Sequence, residues 1–164
     1  MVDWDALKQI GYNVNDDNNK VASLDKFLEE PSFDKLVFAV SVIADDSESD
    51  YVRFEACRSI RDIDTPEWER TNLCSAINKI LSDPNEDVTL QQWAAYLTNK
   101  CLNNYDLTKT IIDCIANQED FRWNIIDSLR EAEYLGENVR LLLKLVLHGE
   151  VQDDVKEAIN ELLN

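Results

Sequence analysis

A chain of 164 residues can bury a core of its own, and 45% hydrophobic content spread along its length excludes a disordered acidic tail. Sixteen Lys and Arg face 33 Asp and Glu, a formal net charge of -17, which repels phosphate backbones and anionic lipid and attracts basic surfaces. Nucleic acid and membrane are therefore not expected as direct partners, and neither an apolar run of 18 residues nor a basic leader with an apolar core marks a span or a signal.

Three glycines and three prolines leave few breakers, and apolar residues recur at spacings of three and four, so the chain reads as all-α. Helices are predicted at about 3–10, 20–30, 32–44, 51–63, 66–82, 87–104, 107–117, 119–132, 137–148 and 153–163. Thr65 offers a hydroxyl cap ahead of Pro66 at a first helical position. Asn117 is placed to cap the helix after it, with Asp120 at that helix's third position. Gly11, Gly136 and Gly149 stand where helices should stop, and His148 in a last turn suits the negative end of a helix dipole.

One phrase recurs. DYVRFEACRSI (50–60) aligns with EDFRWNIIDSL (119–129) at an offset of 69, and that with DDVKEAINELL (153–163) at a further 34. Val52 then matches Phe121 and Val155, Arg53 matches Arg122 and Lys156, Ala56 matches Ile125 and Ile159, and Ile60 matches Leu129 and Leu163. Ile43, ahead of the phrase, lands on Ile112 and Val146. The first offset is twice a unit, and LSDPNEDVTLQQWAAYL (81–97) fills the gap in a slipped register, with Leu90, Ala94 and Ala95 opposite Val52, Ala56 and Cys57 and no base opposite Arg53. An acidic turn followed by V-R-x-x-A-x-x-x-I, closing a helix pair at such intervals, resembles the HEAT repeat. The resemblance implies an α-solenoid of about four antiparallel helix pairs over 32–164, within one domain of 1–164, and residues 1–31 would supply an N-terminal helical cap.

Candidate chemistry is sparse. Cys57, Cys74, Cys101 and Cys114 have no close pairing, His148 is the one histidine, and no zinc spacing results. Each cysteine lies in an apolar phrase, where a reduced thiol serves as a small core residue, and a reducing cytoplasm is the expected compartment. A calcium loop counted from Asp45 fails, because its sixth residue is Asp50 rather than Gly and its twelfth is Ala56 rather than Glu. The loop counted from Asn13 reaches Asn18 and Leu24 at those positions and fails the same way. No nucleophile is directed at His148 and no carboxylate pair stands out, so neither an enzyme, a cofactor nor a metal is expected.

What remains is surface. If the resemblance holds, the turns inside the pairs share one edge, which collects Asp45, Asp46, Glu48 and Asp50, then Asp83, Glu86 and Asp87, then Glu119 and Asp120, then Glu150, Asp153 and Asp154, with no Lys or Arg among them. Helix capping accounts for about one acid per turn, Asp50 being the one assigned to the first, and leaves Asp45, Asp46 and Glu48 in excess. The opposite edge is acidic too, through Asp62, Asp64, Glu67, Asp106, Glu131, Glu133 and Glu137, so the asymmetry is modest. On the faces of the second helices, Phe54, Arg58, Tyr96, Trp123 and Asp127 have the composition of a binding hot spot, although Phe54 and Trp123 also suit packing between repeats. The expected partner is a basic protein. In size and charge the chain is similar to the immunity proteins that neutralise bacterial nuclease toxins, and a protein-binding inhibitor is the leading expectation. A HEAT-like adaptor joining subunits is the second. HEAT-like enzymes acting on DNA bases or pigment proteins are similar at fold level alone.

Overall fold

A computed structural model of the chain describes residues 16–30 and 32–164, with residues 67 and 68 described by their backbone alone. Among the described residues there is no strand, and nine helices follow in order: α1 Asp17–Leu28, α2 Phe33–Ala44, α3 Asp50–Ile60, α4 Glu67–Ser82, α5 Val88–Ala95, α6 Tyr105–Asn117, α7 Arg122–Glu131, α8 Glu137–Leu147 and α9 Asp153–Leu163. The helix expected at 3–10 and the stop expected at Gly11 lie outside the described residues. The chain divides into two compact units, Met1–Ala76 and Ile77–Asn164.

In the first unit, α2 and α3 pack on each other and α1 packs on both. The spacing of Val21, Leu24 and Leu28 gives α1 one apolar stripe, and Asp16 starts the helix by accepting from the Asn18 backbone N–H at 3.0 Å. Leu24, Ala39, Ile43, Val52, Ala56 and Ile60 are fully buried in this unit. Each large aliphatic side chain removed from water contributes about 1.5–3 kcal/mol, which is what holds three short helices together. Phe27 meets Phe38 edge to face at 5.6 Å, closing the α1–α2 side.

In the second unit, α6 pairs with α7 and α8 with α9, while α5 packs on α7, α7 on α9, and α6 on α8. Burial follows the aligned phrases: Val52, Phe121 and Val155 are buried, as are Ala56, Ile125 and Ile159, and so are Leu90 and Ala94 of the slipped unit. Leu163, opposite Ile60, is half-buried.

Several local expectations are corrected. The helix expected over 87–104 ends at Ala95 and resumes as a short 3-10 turn at Thr98–Cys101. Side-chain hydroxyls compete there with the backbone ladder: Thr98 Oγ1 donates to the Ala95 carbonyl at 2.7 Å, and Ser128 Oγ donates to the Tyr96 carbonyl at 2.9 Å while accepting from the Asn99 N–H at 3.0 Å. Thr65 does not cap α4; its hydroxyl is buried without a hydrogen-bond partner among the described residues, and the first backbone bonds of the helix run from Glu69 and Arg70 to the Pro66 carbonyl. Asn117 is the last residue of α6 and donates to Asp113 Oδ1 at 2.8 Å, whereas Phe121, buried, occupies the cap position of α7. Gly136 opens α8 as its N-cap rather than stopping α7. The cap of α3 is Ser49, which accepts from the Val52 N–H at 3.4 Å, and Asp50 is the first helical residue.

Candidate functional site

The α2–α3 turn, residues 45–49, and Asp50 at the start of α3 hold four of the acids named from sequence, and each has an internal role. Asp45 Oδ1 accepts from Ser47, N–H at 2.9 Å and hydroxyl at 2.6 Å, folding the turn on itself. Glu48, whose side chain is only 7% exposed, pairs with Lys20 of α1. Arg53 is buried beneath the turn, donates from Nε to the Ile43 carbonyl at 3.2 Å, and meets Asp46 and Asp50, each at 3.5 Å. Lys20 and Arg53 thus offset part of the turn's negative charge, and Asp45, Asp46 and Glu48 each make a contact inside the first unit.

The equivalent turn between α4 and α5, residues 83–87, is built differently. Asp83 accepts from the Asn85 N–H at 2.9 Å and Asp87 caps α5 by accepting from the Leu90 N–H at 2.9 Å. Beneath them the place of Arg53 is taken by Gln91, buried, which donates Nε2 to the Ile80 carbonyl at 3.2 Å and the Asp83 carbonyl at 2.9 Å. The hydrogen bond to the end of the preceding helix is retained while the positive charge is not. In the third turn Arg122 is buried and donates to the Gln118 carbonyl at 3.1 Å, and it pairs with no carboxylate among the described residues. Glu119 and Asp120 are exposed above it.

Hydrogen bonds set these turns side by side. Gln92 at the start of α5 donates to the Asp120 carbonyl at 3.1 Å, and Gln152 before α9 donates to Glu119 at 3.4 Å. The second unit therefore presents Asp83, Glu86, Asp87, Glu119, Asp120, Glu150, Asp153 and Asp154 along one edge. Lys156 reaches Asp153 at 3.7 Å, a contact both of whose side chains face solvent.

The helix faces carry the remaining residues. Phe54 is half-buried in an edge-to-face pair with Tyr51 at 5.4 Å, and Arg58 beside it pairs with Glu55 and with Asp25 of α1 at 3.4 Å. The hydrogen bond to Glu55 holds the Arg58 guanidinium above its usual pKa. In the second unit Tyr96 ends α5 against Trp93, ring centroids 5.6 Å apart, and Trp123 on α7 is 38% exposed. Asp127 is engaged by Arg130 at 2.9 Å, and Arg130 reaches on to Glu161 of α9 at 2.8 Å. Trp123 is therefore presented to solvent, and Phe54 is partly covered by its own helix. Trp93, which the sequence reading did not select, was visible as the i, i+3 neighbour of Tyr96. Lys20, which answers Glu48, left no local signal because 28 residues separate them.

Cys57 and Cys114 carry free, buried thiols, each pushed up to about 12 chiefly by burial. Cys74 and Cys101 are disulfide-bonded, which corrects the expectation of four reduced thiols; spacing along a chain does not reveal which sulfurs a fold brings to a bond. Among the described residues no group of three or more His, Cys, Asp or Glu could hold a metal ion, and no helix is long and apolar enough to cross a membrane. Comparisons with protein-family models, curated proteins and solved structures find no match for this chain.

Proposed function

We propose that the chain is a HEAT-like stack of helix pairs that binds and inhibits a basic protein, in the manner of an immunity protein that neutralises a nuclease toxin. The observation that carries this reading is the edge of the second unit, where Asp83, Asp87, Glu119 and Asp120 are exposed while Gln91 beneath them is neutral and Arg122 pairs with no carboxylate among the described residues. Carboxylates in a row steer a basic surface into register and raise its on-rate. On a nuclease they would occupy the positions of substrate phosphates, or cover the cleft beside them.

The test begins with a partner captured on the tagged chain and identified by mass. Its association rate should fall steeply from low to moderate ionic strength, and its nuclease activity should be suppressed at equimolar chain. Changing Asp83, Glu86 and Asp87 to Asn or Gln together should slow association without loss of helicity. A partner that is not basic, or a rate indifferent to salt, would overturn the reading. A second reading, an adaptor that joins subunits, draws on the exposed Trp123 and the Trp93–Tyr96 pair. Under it Trp123→Ala weakens binding and the turn substitutions leave it alone.

A further inference from the structure

Away from the turn acids, α6 and α8 enclose a groove of about 650 Å³ within the second unit. Its walls are apolar: Ile112 and Ala116 from α6, Leu142, Leu145 and Val146 from α8, and Val151 beyond it. Leu145 is 59% exposed, and so is Leu141 one turn earlier, which together form an apolar ridge beside the groove. Single exposed leucines are ordinary, but a ridge continuous with a groove marks a surface built to be covered.

Charge selects the occupant. The groove is lined by the C-terminal halves of both helices, and α6 and α8 end beside its mouth at Asn117 and Leu147, where each helix contributes partial negative charge. Asp113 and Glu150 stand at that mouth, and neither has an ion-pair partner among the described residues. Lys109 lies further along the wall. A second copy of a chain with net charge -17 would bring like charge to a negative mouth, so self-association is disfavoured. An amphipathic helix with an i, i+3, i+7 aliphatic stripe flanked by Lys or Arg satisfies both the walls and the mouth.

We propose that the α6–α8 groove docks a basic amphipathic helix of a protein partner. The proposal rests on the reading of a basic partner and adds a second contact surface to it, one that reads side-chain shape where the turns read charge. The exposed ridge supplies apolar area that the partner's stripe would remove from water. The unpaired acids at the mouth set the direction in which that helix lies.

The full chain can be titrated against a fluorescein-labelled helical peptide of about four turns carrying Leu on one face and Lys on its flanks. A second peptide carries Glu in place of Lys, and a third carries Ser in place of Leu. Anisotropy should show binding of the first alone. Leu145→Arg should weaken it by about tenfold or more, and Asp113→Asn with Glu150→Gln should weaken it severalfold and flatten its salt dependence. Leu145 is exposed, so helicity should survive; Leu145→Gln serves if the Arg variant loses it. No binding of the Lys peptide, equal binding of the Glu peptide, or binding unchanged by either Leu145 variant would overturn the proposal. So would sedimentation showing a dimer of the unliganded chain that Leu145→Arg dissociates, which would assign the groove to a second copy. Substitution of Asp83, Glu86 and Asp87 should leave peptide binding unchanged. A captured partner lost on that substitution while the peptide still binds would separate the turn-edge reading from the groove.

Discussion

The α2–α3 and α4–α5 turns carry similar numbers of acids and set different buried side chains beneath them. In the first, a buried Arg53 ties the turn to the Ile43 carbonyl and also meets Asp46 and Asp50. In the second, Gln91 makes the corresponding tie to the Ile80 carbonyl and brings no charge. The structural need, a donor for carbonyls left open at a helix C-terminus, is met by either side chain. The difference lies in what the buried side chain brings: a guanidinium that meets two carboxylates in the first turn, against a neutral amide in the second. The acid cluster densest in sequence is thus the one with a buried cation beneath it.

The comparison breaks most completely at the layer beneath both turns. Val52 and Leu90 are fully buried at equivalent positions, and Val52→Asp should abolish the helical signal of its unit by far-UV circular dichroism, because an unpaired carboxylate there cannot be satisfied. Next comes the tie itself. Arg53→Leu should cost about 2–3 kcal/mol in chemical denaturation, and Gln91→Leu about 1–2 kcal/mol, since both leave carbonyls without a donor and only the first also removes ion pairs, to the half-exposed Asp46 and Asp50. Equal costs would show that the charge of Arg53 contributes nothing.

Alkaline pH gives a smaller effect common to both units. The folded pKa of Cys57 and of Cys114 is raised above the ordinary value of 9.0, so their contribution is complete below that value and is lost as pH rises from 9 toward about 12. One pH unit above the unfolded value the loss is about 1 kcal/mol per thiol. It should appear as a falling melting temperature that Cys57→Ala partly flattens. The smallest stability change, within about 0.5 kcal/mol, is expected for Gln91→Arg, which rebuilds the first turn's chemistry in the second. Its effect belongs to binding: the new cation should slow association with a basic partner and weaken its dependence on salt.

The all-helical class was legible because breakers are few and the aliphatic spacing is regular. The alignment of Val52, Phe121 and Val155 was legible as well, since a buried position tolerates only apolar residues and repeats visibly. Gln91 was not recognised as the counterpart of Arg53, because a sequence comparison looks for charge where the fold asks for a donor of the right length. The break after Ala95 was hidden for a related reason: it depends on Ser128, a residue on α7 that propensity along 87–104 does not include. The acids of the first turn looked surplus because Lys20 and Arg53 lie outside the turn and reach it only in three dimensions.

Ser128 has a consequence for measurement. A four-residue 3-10 turn would ordinarily exchange its amide hydrogens with solvent quickly, but the Asn99 N–H is held at 3.0 Å by a hydroxyl that is itself fully buried on another helix. Its exchange should require α7 to move away from the turn. In a nuclear magnetic resonance spectrum the Asn99 amide would then protect far longer than its neighbour Lys100, and Ser128→Ala should bring the two rates together. One amide would thus time the opening of one helix from another.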